Sequence, residues 1–104
     1  VRFPIGDGFL PFALWKADQR GEHRSAKRYG KPREASLRRL VGWLAELDRI
    51  MSGRFWLATR DAAELLGIGK STAARMMQRL RADGVLWLIE PGTRKQSPHY
   101  RFSG

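Results

Sequence analysis

The chain contains no cysteine. Disulfide staples and thiolate metal sites are therefore excluded, and the composition fits a reducing compartment. Acidic residues are scarce: 10 Asp+Glu stand against 20 Lys+Arg, for a formal net charge of +10 over 104 residues. No apolar run approaches the roughly 20 residues of a membrane-spanning helix. The opening "VRFPIGDG" lacks the apolar stretch of a secretory signal. Only two histidines occur, His23 and His99, and neither has a metal-ligand or acid–base spacing to a carboxylate. No Ser-His-Asp or paired-carboxylate arrangement presents itself. The sequence thus reads as a non-enzyme without cofactor or metal.

What is present is a folding composition, 42% hydrophobic with four Trp and five Phe, in a length that suits one compact unit. A balance this basic favours a polyanionic partner. The charge is also clustered. Between Arg20 and Arg39 stand eight cations (Arg20, Arg24, Lys27, Arg28, Lys31, Arg33, Arg38, Arg39) against Glu22 and Glu34 alone. The start at Val1 raises the expectation of a module cut from a longer protein.

Residues 1–10 read as an irregular arm, and "PFALWKADQR" as a short helix opened by Pro11. Gly21, Gly30 and Pro32 mark residues 20–33 as a polar basic loop. From Glu34 to Met51, Leu37, Leu40, Val41, Leu44, Leu47 and Met51 recur at helical steps on one face, and Ser52-Gly53 ends that helix. "RFWLA" predicts a brief strand. A second helix opens at Thr59, a favourable N-cap with Asp61 in the first turn, and stops at Gly67. A third runs from Lys70 to Ala82 or Asp83, with Ala73, Met76, Met77 and Leu80 inward, and Gly84 closes it. "VLWLIE" and "HYRFS" flank the turn-rich "PGTRKQSP", a hairpin with Arg94 and Lys95 at its tip. Trp43, Trp56 and Trp87 read as core or edge packing.

"GIGKST" has the ending of a phosphate-binding P-loop, and the context rejects that reading. The loop's first glycine belongs at position 64, which is Glu64, and the preceding "TRDAAELL" is helical rather than a buried strand. Two helices around a tight glycine turn, followed by a hairpin, form a different signature.

In "LATRDAAELLGIGKSTAARMMQRLRADGVL", paired small residues precede a glycine turn. Hydroxyls then open a helix, an arginine follows, and a leucine stands before Gly-Val-Leu. This stretch resembles the winged helix-turn-helix of bacterial DNA-binding proteins, with the likeness covering residues 55–103. The chain departs from the pattern at Gly69, where the family often places Ser. The resemblance implies a mainly α, α+β fold: a winged helix with a three-helix core and a C-terminal wing over residues 34–104. A basic extension, residues 1–33, would precede it. It also implies that the third helix enters the major groove of duplex DNA in a bacterial, nucleoid-associated setting.

On that footing the outward residues acquire roles. Lys70, Ser71 and Thr72 open a helix whose free N–H groups favour a phosphate. Arg75 suits a bidentate contact to guanine and Gln78 a pair with adenine, while Arg79 reaches for a phosphate. Arg94 and Lys95 suit a minor groove or a phosphate clamp. Arg60, early in the second helix, adds a further DNA-contacting cation, and the basic segment with Arg28, Lys31 and Arg33 extends the footprint, either as an arm along the backbone or by ordering on contact. The parent protein reads as a transcription regulator or as a plasmid- or phage-type replication protein such as an initiator, primase or helicase. A protein-interaction module and an RNA-binding winged helix are the alternative readings.

Overall fold

A computed structural model describes residues 9–103. Helix α1 spans Phe9–Arg20, two residues earlier than Pro11 predicts. Proline is tolerated there because first-turn N–H groups have no intrahelical acceptor to lose. Of the arm expected over residues 1–10, only Phe9 and Leu10 fall within the described residues, and both are helical. Ala13, Leu14 and Ala17, at helical spacing, are buried against the next helix.

The basic segment is ordered where the sequence reads a loop. It forms two 3-10 turns, Arg24–Arg28 and Pro32–Glu34. Two buried anchors explain this. Ala26 and Tyr29 are buried, at 0% and 1% exposure. The Arg38 Nη1 group donates to the carbonyls of both Tyr29 and Lys31 at 2.8 Å. The His23 ring caps the first turn by accepting the Ser25 N–H at 3.0 Å.

Helix α2, Ala35–Ile50, buries Leu37, Leu40, Val41, Leu44 and Leu47 of the expected stripe, with Trp43 beside them, while Met51 caps the helix and is only partly buried. Strand β1 is only Phe55–Trp56. Helix α3 covers Thr59–Leu66, with Ala58 rather than Thr59 in the cap position, since the Ala58 carbonyl accepts the first helical bond from Ala62. Gly67 then adopts φ +69°, and the Ile68 N–H turns back to the Ala63 carbonyl at 3.0 Å. This left-handed closure is why glycine ends α3. Helix α4, Lys70–Ala82, starts at once from Gly69 in extended conformation. Its inward side is Ala73, Met77 and Leu80, with Met76 only partly buried.

Strands β2, Leu86–Glu90, and β3, His99–Phe102, form the hairpin, and β1 joins its far side to give the antiparallel order β1-β3-β2. Phe55 faces Tyr100 in register, and with Leu86 they turn inward onto the helices. The result is a mainly helical α+β fold with one small sheet. One core runs from Ala13 through Tyr29 and α2 to Tyr100, so α1 and the basic segment share it. No helix among the described residues is long and apolar enough to cross a membrane.

Candidate nucleic-acid interface

The α3–α4 turn decides which side of α4 faces solvent. With Ala73, Met77 and Leu80 inward, helical geometry leaves Lys70, Ser71, Thr72, Arg75, Gln78 and Arg79 exposed. Gly69 offers no capping side chain, so no side chain of the cap residue claims the first N–H groups of α4. The positive end of the helix dipole therefore carries Lys70, Ser71 and Thr72 with it.

The structure brings this helix to the basic segment. Lys31, Arg33, Thr72, Arg75 and Arg79 line one groove of about 430 Å³, with Leu37, Met76 and Glu34 completing its wall. Residues that the sequence offers singly thus meet, from two segments far apart along the chain.

Arg79 differs from the free phosphate contact that the sequence suggests. It is ion-paired to Glu34 Oε2, and its guanidinium lies 4.9 Å from the Tyr29 ring centroid. Burial is the largest single influence on Glu34 and opposes its ionisation. The Lys31 N–H bond and the Arg79 guanidinium outweigh it together and hold the carboxyl below its ordinary range. Glu34 is thus a charged anchor for Arg79. Arg75 has no such partner among the described residues and projects freely.

A second tie runs beside the first. Tyr29 Oη donates to Asp83 Oδ2 at 2.6 Å, just past the end of α4. Burial first, then this hydrogen bond, pushes the Tyr29 hydroxyl up to about 12. The Glu34–Arg79 and Tyr29–Asp83 contacts brace α4 against the basic segment. Sequence reasoning misses this brace, because neither Tyr29 nor Glu34 stands out in a polar run and both partners lie far along the chain.

At the hairpin tip the Thr93 hydroxyl accepts the N–H groups of Lys95 and Gln96 at 3.2 and 3.1 Å, and the Thr93 N–H returns to the Gln96 carbonyl at 2.8 Å. This tight turn holds Arg94 and Lys95 in solvent. The hairpin base is tied in too, with the Leu57 N–H donating to the Pro98 carbonyl at 3.1 Å. Arg60 is exposed in the first turn of α3. The Arg28 guanidinium lies 5.7 Å from the Tyr29 ring centroid and is also exposed. Gln78, also on α4, lines a separate depression with Arg81 and Trp87, outside the groove. Of the expected residues, then, Lys31, Arg33, Thr72, Arg75 and Arg79 share the groove. Lys70, Ser71 and Gln78 share its helix without lining it, while Arg28, Arg60, Arg94 and Lys95 stand apart from it.

No group of three or more His, Asp or Glu among the described residues could hold a metal ion. No family model, curated protein or solved structure gives a significant match to this chain.

Proposed function

We propose that the chain is a winged-helix module that binds duplex DNA. In this reading α4 lies in the major groove, and the hairpin tip with Arg94 and Lys95 is the wing. The strand order β1-β3-β2, with β1 preceding the helical pair and the hairpin following it, supports the winged-helix assignment. The observation that carries the functional reading is the groove where Lys31 and Arg33 face Thr72 and Arg75. Four cations, counting Arg79, line it against one carboxylate, and that carboxylate is already occupied by Arg79.

Such a surface holds DNA first through phosphates. Lys31, Arg33 and the amino end of α4 fix register on the backbone, while Arg75 and Gln78 reach base edges. The module would serve a bacterial regulator or a plasmid- or phage-type replication protein.

The test is a titration of labelled random-sequence duplex across a salt series. Wild-type affinity falls steeply with salt. The Lys31→Ala/Arg33→Ala chain loses about 0.9 of logarithmic salt slope for each phosphate it no longer neutralises. Salt-independent binding, or no duplex binding with a tight acidic protein partner instead, would replace this reading with the interaction-module one. Preferential capture of structured RNA in competition would replace it with the RNA one.

A further inference from the structure

The sheet has a second face that the duplex reading leaves unused. Its inward side carries Phe55, Leu86 and Tyr100. Alternation therefore sends Trp56, Trp87 and Arg101 outward. The register puts them on one face: Trp56 stands opposite His99 and Trp87 opposite Arg101, with His99 and Arg101 two residues apart on β3. Trp56 is 48% exposed and Trp87 59%. Two half-open indoles on a 104-residue chain are apolar surface that needs an explanation.

Both rings are held. The Trp87 indole N–H donates to the Gly84 carbonyl at 3.1 Å, and the Trp56 ring lies 4.3 Å from the His99 ring. The strand geometry separates the two tryptophan backbone positions by about 12 Å, two strand spacings across and two residues along. Cations flank them. Arg54 and Arg101 line a depression of about 440 Å³ together with Ile89. The face also carries Glu90, whose carboxylate lies 3.4 Å from His99 Nδ1.

We propose that this outer sheet face binds single-stranded DNA, with bases stacking on Trp56 and Trp87 and phosphates held by Arg54 and Arg101. Pre-oriented aromatic rings interleaved with arginine are what an extended strand with unpaired bases requires, since every base offers a π-face and every linkage a negative charge. A duplex hides its base faces and cannot use the indoles. A protein partner would match the indoles but leave the two guanidinium groups in need of acids. The choice of DNA over RNA rests on the duplex reading above. Trp87 also lines a depression with Gln78 and Arg81 of α4, so the two surfaces adjoin.

The experiment titrates the chain with oligo(dT) of about 12 nucleotides, a length within the usual single-strand site sizes, following indole emission and anisotropy. Binding is expected to quench emission. Trp56→Ala/Trp87→Ala is expected to weaken oligo(dT) binding by about tenfold or more while duplex affinity moves less than about twofold. Arg54→Gln/Arg101→Gln tests the same face without touching the indoles and is expected to reduce the salt slope by about 0.7 for each phosphate no longer held. Retention of oligo(dT) binding by an Arg75→Ala chain that has lost duplex affinity supports a separate surface. Absence of quenching, unchanged affinity in both double variants, or joint loss of both affinities in Arg75→Ala would overturn the proposal. Equal or tighter binding of oligo(U) would overturn the assignment to DNA.

Discussion

Tyr29 and Asp83 are joined by a 2.6 Å hydrogen bond across 54 residues of chain. Tyr29 belongs to the basic segment near the amino end, and Asp83 caps the helix with the most exposed cations. The bond therefore ties the two halves of the candidate interface together directly, from a buried ring to an exposed carboxylate. It also explains why a run so rich in charge is ordered: one buried ring supplies an anchor that the charges cannot.

Tyr29→Phe keeps the buried ring and removes only the hydroxyl. We expect a loss of about 1 kcal/mol, the usual net worth of such a bond, and a lower melting temperature. The variant also has a pH signature. Because the folded hydroxyl is raised to about 12 from an ordinary 10.0, the folded state holds its proton where the unfolded state has released it. Stability from this group is complete below pH 10 and is lost as pH rises towards 12. Burial raises Tyr100 in the same direction. Melting curves should thus fall above pH 10 in the wild type, and less steeply in Tyr29→Phe.

Glu34 gives the opposite limb. Its folded carboxyl is held below the ordinary 4.5, so its contribution is present above that pH and is lost as pH falls through the folded value. Glu34→Gln cannot titrate. Its melting temperature should be lower than wild type at neutral pH, and the two should converge as the medium is acidified below pH 4.5. Parallel curves across that window would show that the Arg79 pair contributes nothing.

Gly67 sits at φ +69° with open space around the position where a Cβ would be built. Gly67→Ala therefore incurs backbone strain without a clash, about 1–2 kcal/mol. Denaturant midpoints read this directly. Gly67→Asn should cost less, because asparagine tolerates the left-handed region.

Much of this is legible in the sequence. Six apolar residues at helical steps announce α2 because a helix of that length must bury one continuous stripe. Gly67 of "GIG" marks the turn because few other residues accept its left-handed backbone. The order of Arg20–Arg33 is not legible, because Ala26 and Tyr29 carry no periodicity and their partners lie outside the segment. Arg79 reads as a free cation for the same reason. Its partner Glu34 is 45 residues away, and only the folded chain brings them together. The outward turn of Trp56 is hidden because β1 has just two residues, too few for alternation to register.

The hairpin tip offers a test of the wing that leaves the core alone. Arg94 and Lys95 are exposed on a turn organised by Thr93. Arg94→Ala/Lys95→Ala should leave the melting temperature unchanged within error. If the tip clamps phosphates, duplex affinity should drop to a similar degree for every sequence, with a salt slope smaller by about 0.9 for each phosphate released.

Arg75 and Arg79 stand one helical turn apart on the same helix and should behave differently. Arg79 is held by Glu34 and the Tyr29 ring, so Arg79→Ala strips a buried carboxylate of its partner and should lower stability. Arg75 is exposed and bears no such tie among the described residues. Arg75→Ala should melt like wild type yet discriminate less between bound and unbound sequences, by about 1–3 kcal/mol if it makes a bidentate contact with guanine. Selection from a random duplex pool gives the preferred site. Competition between that site and single-base variants then reads the two arginines separately. A specificity loss in Arg79→Ala alone, with Arg75→Ala unaffected, would move the base-reading role to the other end of the turn. It would also make the Glu34 pair a latch that must open on DNA, which low-salt binding kinetics would show as a slow phase in wild type and none in Glu34→Gln.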